Sequence, residues 1–364
     1  MSIASEIERI QAAKEMLKAK LNAKNDEEHQ ITNETLDEFG DFADSIPTGI
    51  TPTGTITITE NGTVDVTNFA SADVNVSGGG NVVFPTKINF SGANFLNTDV
   101  EWIENANTSN LTALNNMFSN CSNLISLNLK KWNTSNVTNM SYMFSNSSIQ
   151  NIDISNLNIG KVTNLSYMFN NAYSVKKANL SNLSSNVVTT MTYMFSGCSN
   201  LTEVDFTGFS ISGVTNLENL FYGCSKLENV KLGNITQGSE LYLSNAFTSC
   251  SNIKTIDLSG LNASNVVFMY SCFTGCSNLT TINFGNNFKI GTIGNAKGLG
   301  SIFTNCSKLD NDTLNSILHI LANVTSYPGK KTLKQVGLSS AQATVCEGLS
   351  NYQEFLDAGW TTGY

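Results

Sequence analysis

The sequence has few of the residues that catalysis and metal binding most often use. Only two of its 364 residues are histidines, and Asp, Glu, Lys and Arg together make up 13%. His29 lies in a charged break between two amphipathic segments, and His319 lies in the Leu-rich segment 314–321. We interpret the first as solvated and the second as packed in a helix. We therefore expect no enzymatic activity, no cofactor and no metal site.

Basic patches and long apolar runs are also missing. Residues 1–80 carry 5 basic and 14 acidic side chains, a net charge of −9, and residues 81–364 carry 15 of each. Without a basic patch, no nucleic-acid partner is expected. No apolar run reaches transmembrane length, and the acidic, amphipathic start does not resemble a signal peptide. No insertion into a membrane is predicted.

What the sequence does contain is a repeat. Phenylalanines that we call anchors recur at spacings of 26, 25, 26, 26, 26, 26 and 30 residues, at Phe118, Phe144, Phe169, Phe195, Phe221, Phe247, Phe273 and Phe303. A period near 26 that persists over so many units predicts a solenoid. The units must stack, because one unit of this length cannot bury its apolar side chains alone.

Each unit has the same internal pattern. A Leu or Met stands four residues before every anchor, and the residue directly before the anchor is mostly apolar, which predicts one helical turn. An apolar-x-x-apolar-x-apolar run follows the anchor, as in Leu201-x-x-Val204-x-Phe206, and its alternating end predicts a strand. A loop with one more large apolar residue completes the unit. The predicted fold class is an α/β repeat solenoid of the leucine-rich-repeat type, with one short strand and one short helical turn per unit.

Cysteines occupy one position of this repeat. Six of the eight lie three residues after an anchor, and Ser147 and Ala172 fill the same position in two other units, the six being Cys121, Cys198, Cys224, Cys250, Cys276 and Cys306. A position that accepts Cys, Ser or Ala requires a small side chain. This favours a column of buried free thiols over a disulfide framework, in a chain kept reduced until its release.

The segments before the repeats form an acidic leader. Residues 1–47 are predicted to be a helical, coiled-coil-type segment for attachment and oligomerisation, because Ile3, Ile7, Ile10, Leu17 and Leu21 form a heptad seam. Residues 48–80 are predicted to be a small β module with a Gly-rich linker. Its strands are Thr55–Thr59, Val64–Val66 and Ala72–Val76, and Glu60–Thr63 is a hairpin turn.

The repeats are predicted to be closed at both ends. Residues 81–113 hold Ile88, Phe90, Phe95 and Trp102 without the full pattern and are interpreted as the N-terminal cap of repeats 114–309. Residues 310–364 are predicted to be a helical cap. Its two helices span about 312–324, with Asp312 as the helix cap, and 341–358, ended by Gly359.

The predicted strands also locate a candidate binding face. The apolar positions of each strand point inward, so the residues between them point outward and stack into one sheet. These residues differ in charge and size from unit to unit, although any solvated strand face varies in this way. They are Ser126, Asn128, Asn151, Asp153, Lys177, Asn179, Glu203, Asp205, Asn229, Lys231, Thr255, Asp257, Thr281 and Asn283.

Two families resemble parts of the chain. The run Trp132–Phe144, with the Cys and the Leu-x-x-Leu-x-Leu that follow the anchor in other units, resembles the BspA-type leucine-rich repeats of bacterial surface proteins over roughly residues 110–310. This resemblance implies an extracellular binding or adhesion module without catalysis. Those proteins usually carry a secretion signal and an anchor, and neither is expected here.

The leader resembles modules of tail and baseplate proteins of phages that infect Gram-positive bacteria. The resemblance lies in Ile7–Lys14, Leu36–Phe39 with Asp44–Pro47, Ile58–Val66 and Ala70–Val76. It implies a phage or phage-derived tail-fibre protein in the virion tail that binds a host cell-surface glycan or protein. Residues 1–80 would bind tail or baseplate proteins, and the chain would form a homo-oligomer, most simply a trimer.

Two alternatives stay open. The first is a leucine-rich-repeat adhesin on the bacterial cell surface. The second is a glycan-degrading tail enzyme that uses two of the carboxylates Asp153, Glu203, Asp205 and Asp257. Because each of these carboxylates occupies a repeating surface position, a solvated strand face is the favoured interpretation.

Overall fold

The computed structural model describes residues 56–58, 74–76, 88–93, 95, 100–263 and 265–364. Its strands are β1 Ile56–Ile58, β2 Val74–Val76, β3 Asn151–Asp153, β4 Lys177–Asn179, β5 Ser184–Ser185, β6 Glu203–Asp205, β7 Ser210–Asn216, β8 Asn229–Lys231, β9 Asn234–Tyr242, β10 Thr255–Asp257, β11 Leu261–Asn262, β12 Val266–Phe268 and β13 Thr281–Asn283. Its helices are α1 Glu101–Asn105, α2 Asn311–Ala322, α3 Leu333–Val336, α4 Ser340–Cys346 and α5 Tyr352–Asp357.

The predicted fold class is confirmed: the repeats stack as parallel turns of a leucine-rich-repeat-like solenoid, with helices at the C-terminal end. Three-residue strands of successive units pair in parallel and in register, in two sheets of order β3-β4-β6 and β8-β10-β13. The middle residue of each strand, such as Ile152 or Ile256, is buried in the core. We call the outer side of these six strands the strand face.

A third parallel sheet of the repeats covers another side of the middle units, where the sequence predicted only a loop. Its order is β5-β7-β9-β11, and β12 also pairs with β9. The large apolar residues assigned to that loop, such as Leu183, Phe209 and Ile235, are buried. The pairing of β7 with β9 is irregular, because Val214 pairs with Gln237 and Asn216 with Tyr242.

The segment around each anchor differs from the predicted helical turn. It forms consecutive tight turns in which the N–H of residue i bonds the carbonyl of residue i−3, as from Ser196 to Tyr193 at 3.1 Å. Two residues per unit, two before and two after the anchor, have left-handed backbones, for example Tyr193 with φ 57° and Gly197 with φ 77°. Left-handed residues end an α-helix.

The tight turns are held by the next unit rather than by helical bonds. The N–H of Phe195, for example, donates to the carbonyl of Leu220 at 2.9 Å, and the N–H of Gly197 donates to Tyr222 at 2.7 Å. Alternate residues of each anchor segment therefore form a ladder that runs along the solenoid. This ladder satisfies backbone groups that a helix would have satisfied internally.

A column of stacked phenylalanine rings fills the centre of the solenoid. It contains the eight anchors and, before them, Phe90, with neighbouring ring centroids 5.2 to 5.6 Å apart. Phe90 also donates its N–H to Met117, as an anchor would. The N-terminal cap thus contains an incomplete repeat, and its Ile88 and Phe95 are buried as well.

All eight cysteines are free and buried, as predicted. In the six that follow an anchor by three residues, the thiol donates to the carbonyl of a phenylalanine in the preceding unit, as Cys224 does to Phe195 at 3.1 Å. Ser147 instead donates to Phe144 of its own unit, at 2.8 Å. The position therefore requires a small side chain, and in seven of the eight units, all except that of Ala172, this side chain donates a hydrogen bond.

The C-terminal cap corrects two expectations. Asp310, not Asp312, caps α2, because its carboxylate accepts the N–H of Thr313 at 2.8 Å. The helix predicted over 341–358 is two helices, α4 and α5, and Ser339 begins α4 with a capping box. Gly359, at φ 83°, ends α5 as predicted.

Little of the leader falls within the described residues. β1 and β2 lie inside the predicted strands Thr55–Thr59 and Ala72–Val76, and they pair in parallel. The heptad segment, the hairpin turn Glu60–Thr63 and the strand Val64–Val66 lie outside the described residues.

Candidate binding face

The fourteen residues predicted to form the binding face lie together on the strand face. Twelve of them are the first and third residues of β3, β4, β6, β8, β10 and β13. Ser126 and Asn128 lie in the preceding turn, which forms no regular strand, and both are exposed. The first residues form one column across the units and the third residues form another.

The third-residue column has a structural role that sequence reasoning missed. The side-chain oxygen of Asp153 accepts the N–H of Ser155 at 3.1 Å, and that of Asp205 accepts the N–H of Thr207 at 2.8 Å. Asn128, Asn179, Asp257 and Asn283 cap the turn after their strand in the same way. The signal was present in the sequence, since an Asn or Asp two residues before a Ser, Thr or Gly is typical of such turns.

The first-residue column is freer to bind a partner. Ser126, Asn151, Lys177, Glu203, Asn229 and Thr255 are all exposed. Lys177 and Glu203 form an ion pair of 2.7 Å between neighbouring units, and Thr255 donates to Asn229 at 2.6 Å. Both contacts join exposed side chains of neighbouring units.

The N-terminal half of the strand face is a groove of about 550 Å³. Its walls carry Lys130, Asp153, Lys177, Glu203 and Asp205. Glu104 of α1 closes one end, where its carboxylate accepts the N–H of Asn128 at 2.7 Å. The groove combines four carboxylates with two ammonium groups. Ile152 and Ala178 lie at its floor, but their side chains are buried in the core.

Two carboxylates of the strand face, Asp153 and Asp257, have a lowered pKa. Partial burial raises the pKa of Asp153, but hydrogen bonds from Ser155 and the charge of Lys130 outweigh it and leave the pKa below its ordinary value. The pKa of Asp257 is lowered in the same way: partial burial raises it, but hydrogen bonds from Ser259 and the charge of Lys231 outweigh this effect. A glycosidase acid needs a raised pKa, so neither of these two carboxylates fits that role.

The environment of His319 differs from the prediction that this side chain is packed in a helix. His319 lies on α2 as predicted, but its side chain is 58% exposed and its Nδ1 lies 2.9 Å from a carboxylate oxygen of Glu354 on α5. Asn323 donates to the other oxygen of Glu354 at 2.9 Å. The pair joins two helices of the cap beside a second cavity of about 790 Å³. His29 lies outside the described residues.

Among the described residues, no group of three or more His, Cys, Asp or Glu side chains is arranged to hold a metal ion. Within the same part of the chain, no helix is long and apolar enough to cross a bilayer.

Comparisons with known proteins identify the family. The sequence profile described as "Mycoplasma protein of unknown function, DUF285" matches residues 86–206 and 189–317, more than half of the chain. A leucine-rich repeat protein of Treponema pallidum is similar over 52% of this chain and 81% of its own, with 15% identity and a TM-score of 0.26.

A leucine-rich repeat protein from Bacteroides ovatus is similar over 70% of this chain and 73% of its own, with 14% identity and a TM-score of 0.30. No curated protein matches the sequence. The chain is a leucine-rich-repeat-like solenoid and belongs to the DUF285 family.

Proposed function

We propose that this protein is a non-catalytic recognition protein that binds a glycan or protein on a cell surface through the groove of the strand face. The observation that carries the proposal is the groove itself, about 550 Å³ in volume and lined by charged side chains, two of which, Lys177 and Glu203, form an ion pair. Binding sites are typically concave and place a few polar groups in defined positions.

The first candidate location that we propose for the protein is a virion tail. The resemblance of the leader to tail and baseplate modules supports this setting, with residues 1–80 attaching the chain and the repeats reaching the host. Immunogold labelling of particles and cells from an induced culture tests it. Label on tail tips is expected, and label confined to cell envelopes would contradict it.

The second candidate is an adhesin on the surface of the bacterium itself. The resemblance of residues 110–310 to the BspA-type repeats of bacterial surface proteins supports it. The same immunogold experiment separates the two settings. The groove is expected to be the binding site in both.

An exchange of charges tests the groove directly. In the double variant Lys177→Glu with Glu203→Lys, the ion pair of 2.7 Å and the net charge are retained while the polarity of the groove wall is reversed. Like charges placed against a complementary partner cost several kcal/mol, so labelled protein should bind cells at least about tenfold more weakly, equivalent to roughly 1.4 kcal/mol.

The matched control is the same exchange at Lys254 and Glu228. These form an exposed ion pair of 3.0 Å outside the groove. Binding measured by flow cytometry on bacterial and animal cells should be unchanged in this control. Equal loss in both exchanges, or loss in neither, would contradict binding in the groove.

A further inference from the structure

Three tyrosines form an exposed ladder on the anchor side of the solenoid. Tyr142, Tyr167 and Tyr193 each lie two residues before the anchor of three consecutive units. Their ring centroids are 4.5 and 4.6 Å apart, with interplanar angles of 3° and 6°. We call these three residues the tyrosine ladder. It is separate from the buried phenylalanine column and from the strand face.

The backbone at these positions is not one that tyrosine prefers. The three residues have φ of 58°, 60° and 57°, in the left-handed region. The other five units have Asn or Ser at this position, at Asn116, Asn219, Asn245, Ser271 and Ser301. Asn tolerates this conformation better than an aromatic residue does. Folding therefore does not require tyrosine here, and ring stacking offsets only part of the strain.

The ladder is open to small reagents. Tyr142 is 38% exposed, and Tyr167 and Tyr193 are half-buried. Burial and the neighbouring phenols raise the pKa of Tyr167, so its hydroxyl stays protonated at neutral pH. An oxidant acting on it removes a proton together with an electron.

We propose that the tyrosine ladder is an oxidative modification site, at which hydrogen peroxide and a one-electron oxidant of the peroxidase class link Tyr167 to Tyr142 or to Tyr193 as dityrosine. The link would join two consecutive units covalently. It requires rotation of the two linked rings from face-to-face to edge-to-edge, while their centres stay about as far apart as they already are.

The reaction balances as follows. Each of two phenols loses one electron and one proton, and the two phenoxyl radicals form a carbon–carbon bond between the ring carbons next to their oxygens. The hydrogen on each of those carbons then moves to its own oxygen and restores both phenols. The two electrons and two protons removed reduce one hydrogen peroxide to two waters.

Spacing, rather than exposure, should decide which tyrosines react with each other. Tyr173 and Tyr222 are 55% and 44% exposed, more than Tyr142, and neither belongs to a ring pair in the part of the chain that the structure describes. Tyr142 and Tyr193 are separated by Tyr167 and lie two units apart. Tyr167 must therefore take part in every link within the ladder.

The experiment treats dilute full-length protein with horseradish peroxidase and hydrogen peroxide. The monomer is then isolated, and its tryptic peptides are analysed by mass spectrometry and dityrosine fluorescence. Cleavage at Lys161, Lys176 and Lys177 places the three ladder tyrosines in three different peptides. Tyr173 shares a peptide with Tyr167, so Tyr173→Phe is the matched control for Tyr167→Phe.

Linked peptides that join Tyr167 to Tyr142 or to Tyr193 are expected in the wild-type monomer. They should persist in Tyr173→Phe and be lost in Tyr167→Phe, which keeps the ring but cannot form the phenoxyl radical. Dityrosine found only between molecules, or in the monomer with Tyr167→Phe unchanged, would overturn the proposal. Fragment ions of the wild-type linked peptides that place the link on Tyr167 rather than on Tyr173 decide the matter even if a variant folds poorly.

Discussion

Replacement of a central anchor measures how much the phenylalanine column contributes to stability. Phe195 is fully buried and stacks on Phe169 at 5.2 Å and on Phe221 at 5.4 Å. Phe195→Ala should lower the free energy of unfolding by about 3–5 kcal/mol, from lost burial and the cavity that remains. Each stacked contact adds about 0.5–1.5 kcal/mol beyond burial.

The matched control for this change is Phe303→Ala at the end of the column. Phe303 is also buried, but among the residues that the structure describes it stacks on one ring, that of Phe273 at 5.6 Å. Its replacement should therefore cost less than that of Phe195, by about one stacked contact, roughly 0.5–1.5 kcal/mol.

Urea unfolding followed by circular dichroism gives both values. The slope of the transition should stay unchanged while its midpoint falls. A cost below about 1 kcal/mol for Phe195→Ala would show that this side chain is not buried in a close-packed core. Equal costs for the two variants would refute the contribution of ring stacking but not that of burial.

Four further predictions concern the thiols, acid stability and the leader. All eight thiols are buried, and burial raises the pKa of Cys250 to about 12. The eight thiols should therefore react with a disulfide reagent at pH 8 only after denaturant is added, and fast native reaction would contradict this. Cys224→Ser should cost only about 0.5–1.5 kcal/mol in urea unfolding, because the hydroxyl can donate to a phenylalanine carbonyl as that of Ser147 does. The lowered pKa of Asp153 means that its contribution to stability is present above its ordinary pKa of 3.8 and is lost as the pH falls through the lower folded value. Asp153→Asn keeps the turn cap and should flatten the acid limb of the stability curve. Light scattering of the full chain and of a chain starting near Asn81 tests self-association by the leader, and equal masses per chain would exclude it.

The repeating pattern was predictable because it depends on which side chains are buried. The anchors, the residues four before them and the small residue three after them all pack against the next unit, and their identity repeats with the packing. The anchor turn was misread as helical for a physical reason. Apolar residues at −4, −1 and 0 fit a helical face, whereas the bonds that decide the backbone run to the next unit.

The sequence did hold a signal for the true turn. Two residues before and two after the anchor, Asn, Ser and Gly predominate, and all eight units are left-handed at both positions. Asn and Gly tolerate that conformation best. Only the three units of the tyrosine ladder hide the pattern, at Tyr142, Tyr167 and Tyr193.

The outward positions of the strand face were predictable from alternation, but their roles were not. Alternation does not separate Asp205, which caps a turn, from Glu203, which pairs with Lys177. The cap of α2 was misplaced because Asp310 and Asp312 both precede the helical pattern, and only the carboxylate of Asp310 reaches the N–H of Thr313. Whether a residue caps a turn or pairs with a neighbouring side chain depends on its contacts in the folded chain, and the sequence pattern of a single unit does not show those contacts.

Lysine footprinting on the bound protein tests the strand-face groove most directly. Lys130 and Lys177 line the groove, and Lys161 and Lys254 lie outside it. The protein is acetylated briefly, free and bound to an extract of the cells that it recognises, and the modified lysines are quantified by mass spectrometry. Binding in the groove predicts protection of Lys130 and Lys177 with unchanged acetylation of Lys161 and Lys254. Protection of Lys161 or Lys254 while Lys177 still reacts would contradict it.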